Sequence, residues 1–327
     1  MPGDPDRLDL SAVQTFPLAE RENKVRAADF ARLVPPRASG SEFADALPDI
    51  LAGRDFRRLV RAIVEARSRS RPVIICIGAH VIKCGLSPWL IELMQRGVIT
   101  ALALNGAGAI HDVELALIGE TSEDVADGIA SGRFGMWRET GAVLNGAARD
   151  AFEANLGFGE ALACRLAGAG PRVPQVSLLL AGDRLGVPVT VHVAIGTDIT
   201  HTHPDADGAA IGAATHNDFR RFARQIAGLS GGGVLGNIGS AVVLPLIIEK
   251  SLAAARNLGH DVGGFVGFNL DFLQPYRANL NPVSRARELG GVGISLTGHH
   301  ELLIPLLGWA VLSMLEESGP AGANAAG

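Results

Sequence analysis

The chain is poor in three things that would otherwise classify it. Of its 327 residues only three are cysteine, Cys76, Cys84 and Cys164, and they form no Cys-x-x-Cys pair. That excludes a disulfide framework and a cysteine-rich zinc module, and it suits a reducing cytoplasm. Aromatic residues make up 5%, so Ala, Val, Leu and Ile must build the core that a 47% hydrophobic content allows. Lysine is scarce: Lys24, Lys83 and Lys250 are the lysines, and the remaining positive charge is arginine. Chemistry that needs an amine must therefore choose among three positions. A net charge of -5 and a pI near 6.0 give no electrostatic reason for nucleic acid or an anionic membrane. The opening MPGDPDRLDLSAVQTFPLAE has neither a basic nor an apolar segment of the secretory kind. No apolar run reaches the length of a membrane span.

What is present is an alternation. Short apolar runs stand at residues 72–78, 100–106, 188–194, 232–237, 263–269 and 292–298. Each ends in Gly or a small polar residue, and their uninterrupted apolar character predicts strands covered on both faces. Helical patterns such as SPWLIELMQRG and HNDFRRFARQIAGL separate them. Together these predict an α/β fold: a Rossmann-like parallel sheet of about six strands with helices on both faces. Residues 1–40 read as a polar arm. A helix is expected to follow, capped at Ser41, and residues 107–170 read as a helical insertion with a capping box at Thr121 and Asp124. The tail 317–327 is small and polar and is expected to be disordered.

In such a sheet ligands bind beyond the carboxyl ends of the strands. That expectation gathers six turns: GAHVIKCG, NGAGAIHD, GTDITHTHP, SGGGVLGNIGS, FNLDF and LTGHHE. The run Gly231-Gly232-Gly233 is expected to lead into a helix near Ser240 and to offer amides to a phosphate. No Gly-x-Gly-x-x-Gly follows the first strand, which argues against the ordinary dinucleotide fingerprint.

At these turns the chain resembles the deoxyhypusine synthase family. The resemblance runs from about residue 40 to residue 316. It is carried by GAHVIKCGLSPWLIELMQRGVITALALNGAGAIHDVE, PVTVHVAIGTD, SGGGVLGNIGS and LTGHHELLIPLLGWAV. It implies one NAD-binding domain over residues 41–316, a cytoplasmic homo-oligomer, usually a tetramer, and transfer chemistry on a polyamine. It implies cofactor contacts at His80, Asn105, Gly106, Ala107, Asp198, Gly232, Gly233 and His300. The family's imine-forming lysine corresponds to Arg287, which stays protonated and cannot be an amine nucleophile. The family's histidine after the glycine turn corresponds to Asn237. The pocket therefore reads as rewritten, with catalytic candidates Lys83, His203, His299 and Asn237.

Six of the nine histidines, His80, His111, His201, His203, His299 and His300, fall at the expected strand ends. An organic-ligand pocket lined by histidine is the first reading. A metal-dependent hydrolase or lyase using His201, His203, His299 and Asp198 is the second, although no HExxH or cysteine pattern fixes such a geometry. A nucleotide-binding module without catalysis is the third.

Overall fold

The six apolar runs do become strands, and all of them are parallel. The computed structural model describes residues 6–8 and 10–318. Its strands are β1 (Val73–Ile77), β2 (Ala101–Asn105), β3 (Val189–His192), β4 (Val234–Ile238), β5 (Val266–Asp271) and β6 (Val292–Thr297). They form one sheet in the order β3-β2-β1-β4-β5-β6. Before the sheet lie α1 (Gly40–Ala46) and α2 (Leu51–Ser68). Between β1 and β2 lie α3 (Ala79–Lys83) and α4 (Ser87–Gln95). The long β2–β3 connection carries α5 (Gly106–Ile118), α6 (Val125–Ser131), α7 (Arg138–Ala154), α8 (Phe158–Gly168) and α9 (Leu178–Leu185). Next come α10 (Gly208–Ile226) before β4 and α11 (Val243–Asn257) before β5. Then α12 (Tyr276–Ala278) and α13 (Arg285–Glu288) precede β6, and α14 (His300–Glu317) follows it.

Side chains alternate across a strand, so one strand feeds two cores. Val73, Ile75 and Ile77 of β1 join the larger core, with Leu59, Leu90, Val113 and Ile304 from the helices on that face. Ile74 and Cys76 point the other way, into a smaller core with Phe222 of α10 and Leu244 and Ile248 of α11. All five residues of β1 are buried.

Strand order reverses between β1 and β4, so their following helices leave to opposite sides and open a crevice. The two backbones are tightly joined there. The Gly78 amide donates to the Ile238 carbonyl at 2.8 Å. A Cβ on Gly78 would lie 2.1 Å from the Gly239 carbonyl oxygen, so only glycine fits.

Four local expectations are corrected. The first helix is capped by Ser39, whose hydroxyl accepts from the Glu42 amide, and not by Ser41. It also stops before Pro48, which pushes Leu47 into an extended conformation, so two helices stand where one was expected. Asp124 caps α6 through the Asp127 amide, but Thr121 bonds elsewhere. The run Gly231–Gly233 enters β4 at its amino end, and the helix after β4 begins at Val243. That places Gly232 and Gly233 across the sheet from the carboxyl edge, where they cannot serve a cofactor bound there. The described part of the arm is largely exposed, with 3-10 turns at Leu18–Glu20 and Ala27–Asp29 that bury no residue. Glu317 ends α14, and the rest of the expected tail, beyond Ser318, lies outside the described residues. Among the described residues no helix is long and apolar enough to cross a membrane.

The glycines yield a paired prediction. Gly78→Ala forces a methyl group into a carbonyl and is expected to destabilise the fold by about 3 kcal/mol or more. Gly212 lies inside α10, and a Cβ there would have only the end of Ile195, at 4.0 Å, for company. Gly212→Ala is expected to stabilise by about 0.5–1 kcal/mol through helix propensity. Urea unfolding of both variants checks the pair; equal midpoints would contradict it.

Candidate active site

Asp198 follows β3 and caps a 3-10 turn, Ile199–Thr202. The His201 ring stands behind it. His201 Nδ1 accepts from the Gly196 amide at 3.1 Å and the Asp198 amide at 3.3 Å, so the ring proton sits on Nε2. Nε2 lies 3.8 Å from Asp198 Oδ2, too far for a hydrogen bond. Oδ2 is buried and has no hydrogen-bond partner, and the Asp198 side chain is only 10% exposed. Burial pushes its pKa up to about 6.

The carboxylate rests on the first residue of α5. A Cβ on Gly106 would fall 1.9 Å from Asp198 Oδ2, so glycine is required for this approach. Asn105 caps α5 by accepting the Gly108 amide at 2.9 Å. First-turn amides of a helix have no partner within it, which leaves the Gly106 and Ala107 donors at the same edge.

Beyond Asp198 a cavity of about 230 Å³ opens, walled by Lys83, His111, Glu114, Glu123 and Trp137. It adjoins a hollow of about 430 Å³ that shares Glu114, Glu123 and Trp137 and adds Glu120 and Glu139. The walls are acidic, with an indole between the carboxylates. Arg133 stands over that indole at 5.5 Å. His111 Nδ1 lies 2.7 Å from the Thr121 hydroxyl, which donates to Glu114 Oε2 at 2.5 Å. Thr140 donates to the other oxygen of Glu114 at 3.0 Å. Burial first, and Lys83 second, push the His111 pKa down to about 4.

At the β1/β4 crevice three rings meet. His80 from α3 lies 6.1 Å from Phe272 and 5.6 Å from His300, and Phe272 lies 6.0 Å from His300. His300 is 1% exposed, and neither ring nitrogen has a hydrogen-bond partner. Burial pushes its pKa down; Asp271, whose Oδ1 is 3.6 Å from Nε2, pulls the other way. A Cβ on Gly239 would meet this ring at 2.8 Å. His80 Nε2 lies 3.3 Å from the Cys84 thiol, whose pKa is pushed up by burial and by Glu301.

The structure therefore gathers Lys83, Asn105, Gly106, Ala107, Asp198 and His201 at the cleft, and His80 and His300 at the crevice. The other candidates are corrected by their surroundings. His203 bonds the Gly135 carbonyl at 2.7 Å and packs where a Cβ on Gly141 would be, so it ties a loop to α7. His299 is exposed beside Glu301 at the start of α14. Asn237 is fully buried; its amide donates to the Ser240 carbonyl at 2.9 Å and to Asn269 at 2.7 Å, so it braces β4 against β5 out of a ligand's reach. Arg287 bonds the Gly293 carbonyl near the amino end of β6, far from the carboxyl edge. Among the described residues no three His, Cys, Asp or Glu side chains group to hold a metal ion, so His201, His203, His299 and Asp198 form no such set.

Two other buried carboxylates belong to the scaffold. Asp112 accepts from the Ser177 hydroxyl and the Leu178 and Leu179 amides at the start of α9. Asp218 accepts from the Gly159 and Val191 amides. Sequence reasoning missed Glu114, Glu123, Thr121 and Trp137. Only the spacing of His111 and Glu114, one helical turn apart in HDVE, hinted at any of them.

No protein-family model and no curated protein matches the chain. Solved structures do. The ternary complex of AgrE with ornithine and NAD+ is 15% identical, with a TM-score of 0.52 over 82% of this chain and 34% of that one. This chain thus spans about a third of AgrE's length. A conserved LOR/SDH-type protein from Methanococcus maripaludis S2 is 16% identical, covering 86% of this chain and 74% of that one, with a TM-score of 0.49. A deoxyhypusine synthase-like protein from Entamoeba histolytica is 10% identical, covering 85% and 95%, with a TM-score of 0.45. At such identities the likeness is one of fold, and that fold is a Rossmann-like parallel sheet flanked by helices.

Proposed function

We propose that this chain is an enzyme that holds a nicotinamide dinucleotide across the carboxyl edge of the sheet and acts on an amine bound in the acidic cleft. The observation that carries the amine is Asp198. A buried carboxylate with one oxygen unpartnered is costly, and a ligand cation is the group that relieves that cost. Glu114, Glu123 and the Trp137 face extend the same preference for positive charge.

Three features support the dinucleotide. The strand order puts a topological switch between β1 and β4, where this fold class binds nucleotides. The exposed rings of His80 and Phe272 offer flat faces to a nicotinamide, and the buried His300 ring packs behind them. AgrE, of like fold, was solved with ornithine and NAD+. The turn after β1 has one glycine, Gly78, and no glycine nest, so the Gly106 and Ala107 amides beside Asn105 are the donors to meet ribose or phosphate oxygens. When bound, the dinucleotide supplies a hydride acceptor. The chain supplies a counter-charge for the amine at Asp198, cover from water by Trp137, and ring contacts at the crevice. A transferase of the deoxyhypusine synthase type would also need an amine nucleophile. Lys83 is the lysine on the cleft wall; Arg287 is not there.

Two predictions follow from Asp198. Its folded pKa of about 6 exceeds the ordinary unfolded value of about 3.9. The folded state therefore holds the proton more tightly. The stability this group contributes is full below about pH 4 and is lost as pH rises through about 6. Asp198→Asn removes that loss, so the variant is expected to be more stable than wild type by roughly 2 kcal/mol at pH 7.5 and by much less at pH 5. Urea unfolding at the two pH values measures the gap.

Binding should move in the opposite direction. Calorimetry with NAD+ and with putrescine is expected to find both binding, with Asp198→Asn losing about tenfold or more in putrescine affinity while keeping NAD+. Wild-type putrescine affinity should fall as pH drops through about 6, where Asp198 takes its proton. Failure of wild type to bind either probe, or unchanged putrescine affinity in the variant, would reject the proposal.

A further inference from the structure

Building on the amine reading above, we propose that His111 is a specificity-determining residue, whose bare Nε2 accepts an N–H of the ligand ammonium. Thr121 and Glu114 are the positioning residues that keep Nε2 bare. The ligand class is then narrower than cations: the nitrogen must carry hydrogens to donate, and a quaternary ammonium is refused.

The protons along one chain of hydrogen bonds decide which ring nitrogen is bare. A carboxylate only accepts, so both hydroxyls that touch Glu114 must donate to it. Thr121 has a single hydroxyl hydrogen, and it is committed to Glu114 Oε2 at 2.5 Å. The Thr121 hydroxyl oxygen lies 2.7 Å from His111 Nδ1 and, with its hydrogen spent, can only accept there. Nδ1 therefore carries the ring proton, and Nε2 carries the lone pair. Thr140, donating to Glu114 Oε1 at 3.0 Å, holds the far end of the chain still.

The surroundings keep the ring neutral, which the acceptor role requires. The His111 side chain, on α5, is mostly buried. The charged groups that face it are Lys83 from α3, Glu114 on its own helix, Glu123 from the loop before α6, and Asp198 from beyond β3. Lys83 opposes protonation of the ring, and Glu114, 3.9 Å from Nδ1, is already engaged by two hydroxyls. One cavity is thus lined both by Asp198, whose carboxylate has an oxygen without a donor, and by His111, whose lone pair is on Nε2. An ammonium with several N–H groups satisfies both acceptors. A methylated nitrogen of equal charge satisfies Asp198 in charge only and buries the His111 lone pair against methyl groups, which costs a hydrogen bond.

The test compares putrescine with its fully N-methylated, bis-quaternary analogue, which has the same charge and carbon spacing but no N–H. Wild type is expected to prefer putrescine by about tenfold or more. His111→Phe keeps a ring of similar size without an acceptor, and is expected to bring the preference below about threefold. In the imidazole nitrogen NMR spectrum of the full chain, His111 should be a single tautomer, protonated at Nδ1, at neutral pH. Thr121→Val should mix the tautomers, and Thr121→Ser should restore the single one. A structural role for Thr121 alone would not move the tautomer. An Nε2-protonated ring in wild type, or equal affinity for both probes, overturns the proposal while leaving the amine reading intact. Failure of both probes to bind removes the amine reading, and this proposal with it.

Discussion

The cleft depends on a side chain that is not there. Because Gly106 has no Cβ, the carboxylate of Asp198 can come down onto the first turn of α5, a position any larger residue would occupy. The partial positive end of a thirteen-residue helix and its first amides make that spot tolerable for negative charge. The same approach strips water from the carboxylate and leaves one oxygen without a donor. Cleft geometry, the raised pKa and the proposed preference for a cation all descend from this one contact.

Stability and function pull against each other at that point. A scaffold selected for stability alone would put an amide or a donor beside Asp198, as it does for Asp112 and Asp218, each held by at least two backbone amides. The contrast separates kinds of buried acid by their partners. All three carboxyls have pKa values pushed up by burial, to about 6 for Asp112 and Asp198 and about 7 for Asp218. Of the three, Asp198 alone has a buried oxygen without a partner. Asp218 also faces a cavity with acids, Glu160 and Asp183, but Arg221 stands in that wall and the cavity lies at the amino end of β3. Perturbation of a pKa alone would have pointed to all three.

Much of the fold was legible in the sequence, for a simple reason. A strand buried on both faces must be apolar at every position, so VIICI and ALALN could hardly be anything else once their lengths were considered. Turn position was readable too, and with it Asp198 and Lys83. Direction was not. A glycine run before a strand and one after it look alike, and Gly231–Gly233 was assigned to the wrong edge for that reason. The histidines failed differently. His203 and His111 both read as turn residues in the sequence, yet His111 lies within α5, and one is occupied by a carbonyl 68 residues away and the other by a hydroxyl ten residues away. No local pattern encodes such partners. Asn237 is a catalytic candidate only because the resemblance sets it where the family has its histidine, whereas its amide is spent on Asn269 inside the sheet. The acids of the cleft wall come from three separate segments, and only the fold superposes them.

The pairing of β1 has a consequence for how the chain must assemble. One neighbour, β2, begins about 25 residues further along, whereas the other, β4, lies roughly 160 residues downstream. The first contact is local and inexpensive in chain entropy; the second closes a very long loop, and its cost is recovered only when the whole middle of the protein is in place. The crevice is lined by residues from both sides of that closure, His80 from one and His300 from the other. During synthesis the amino-terminal three strands emerge with an open apolar edge on β1 and wait for β4 to cover it. A chain cut short in α10 would keep Asp198 and the acidic cleft in sequence, yet expose that edge, and edge-to-edge pairing between copies is the fate such strands share.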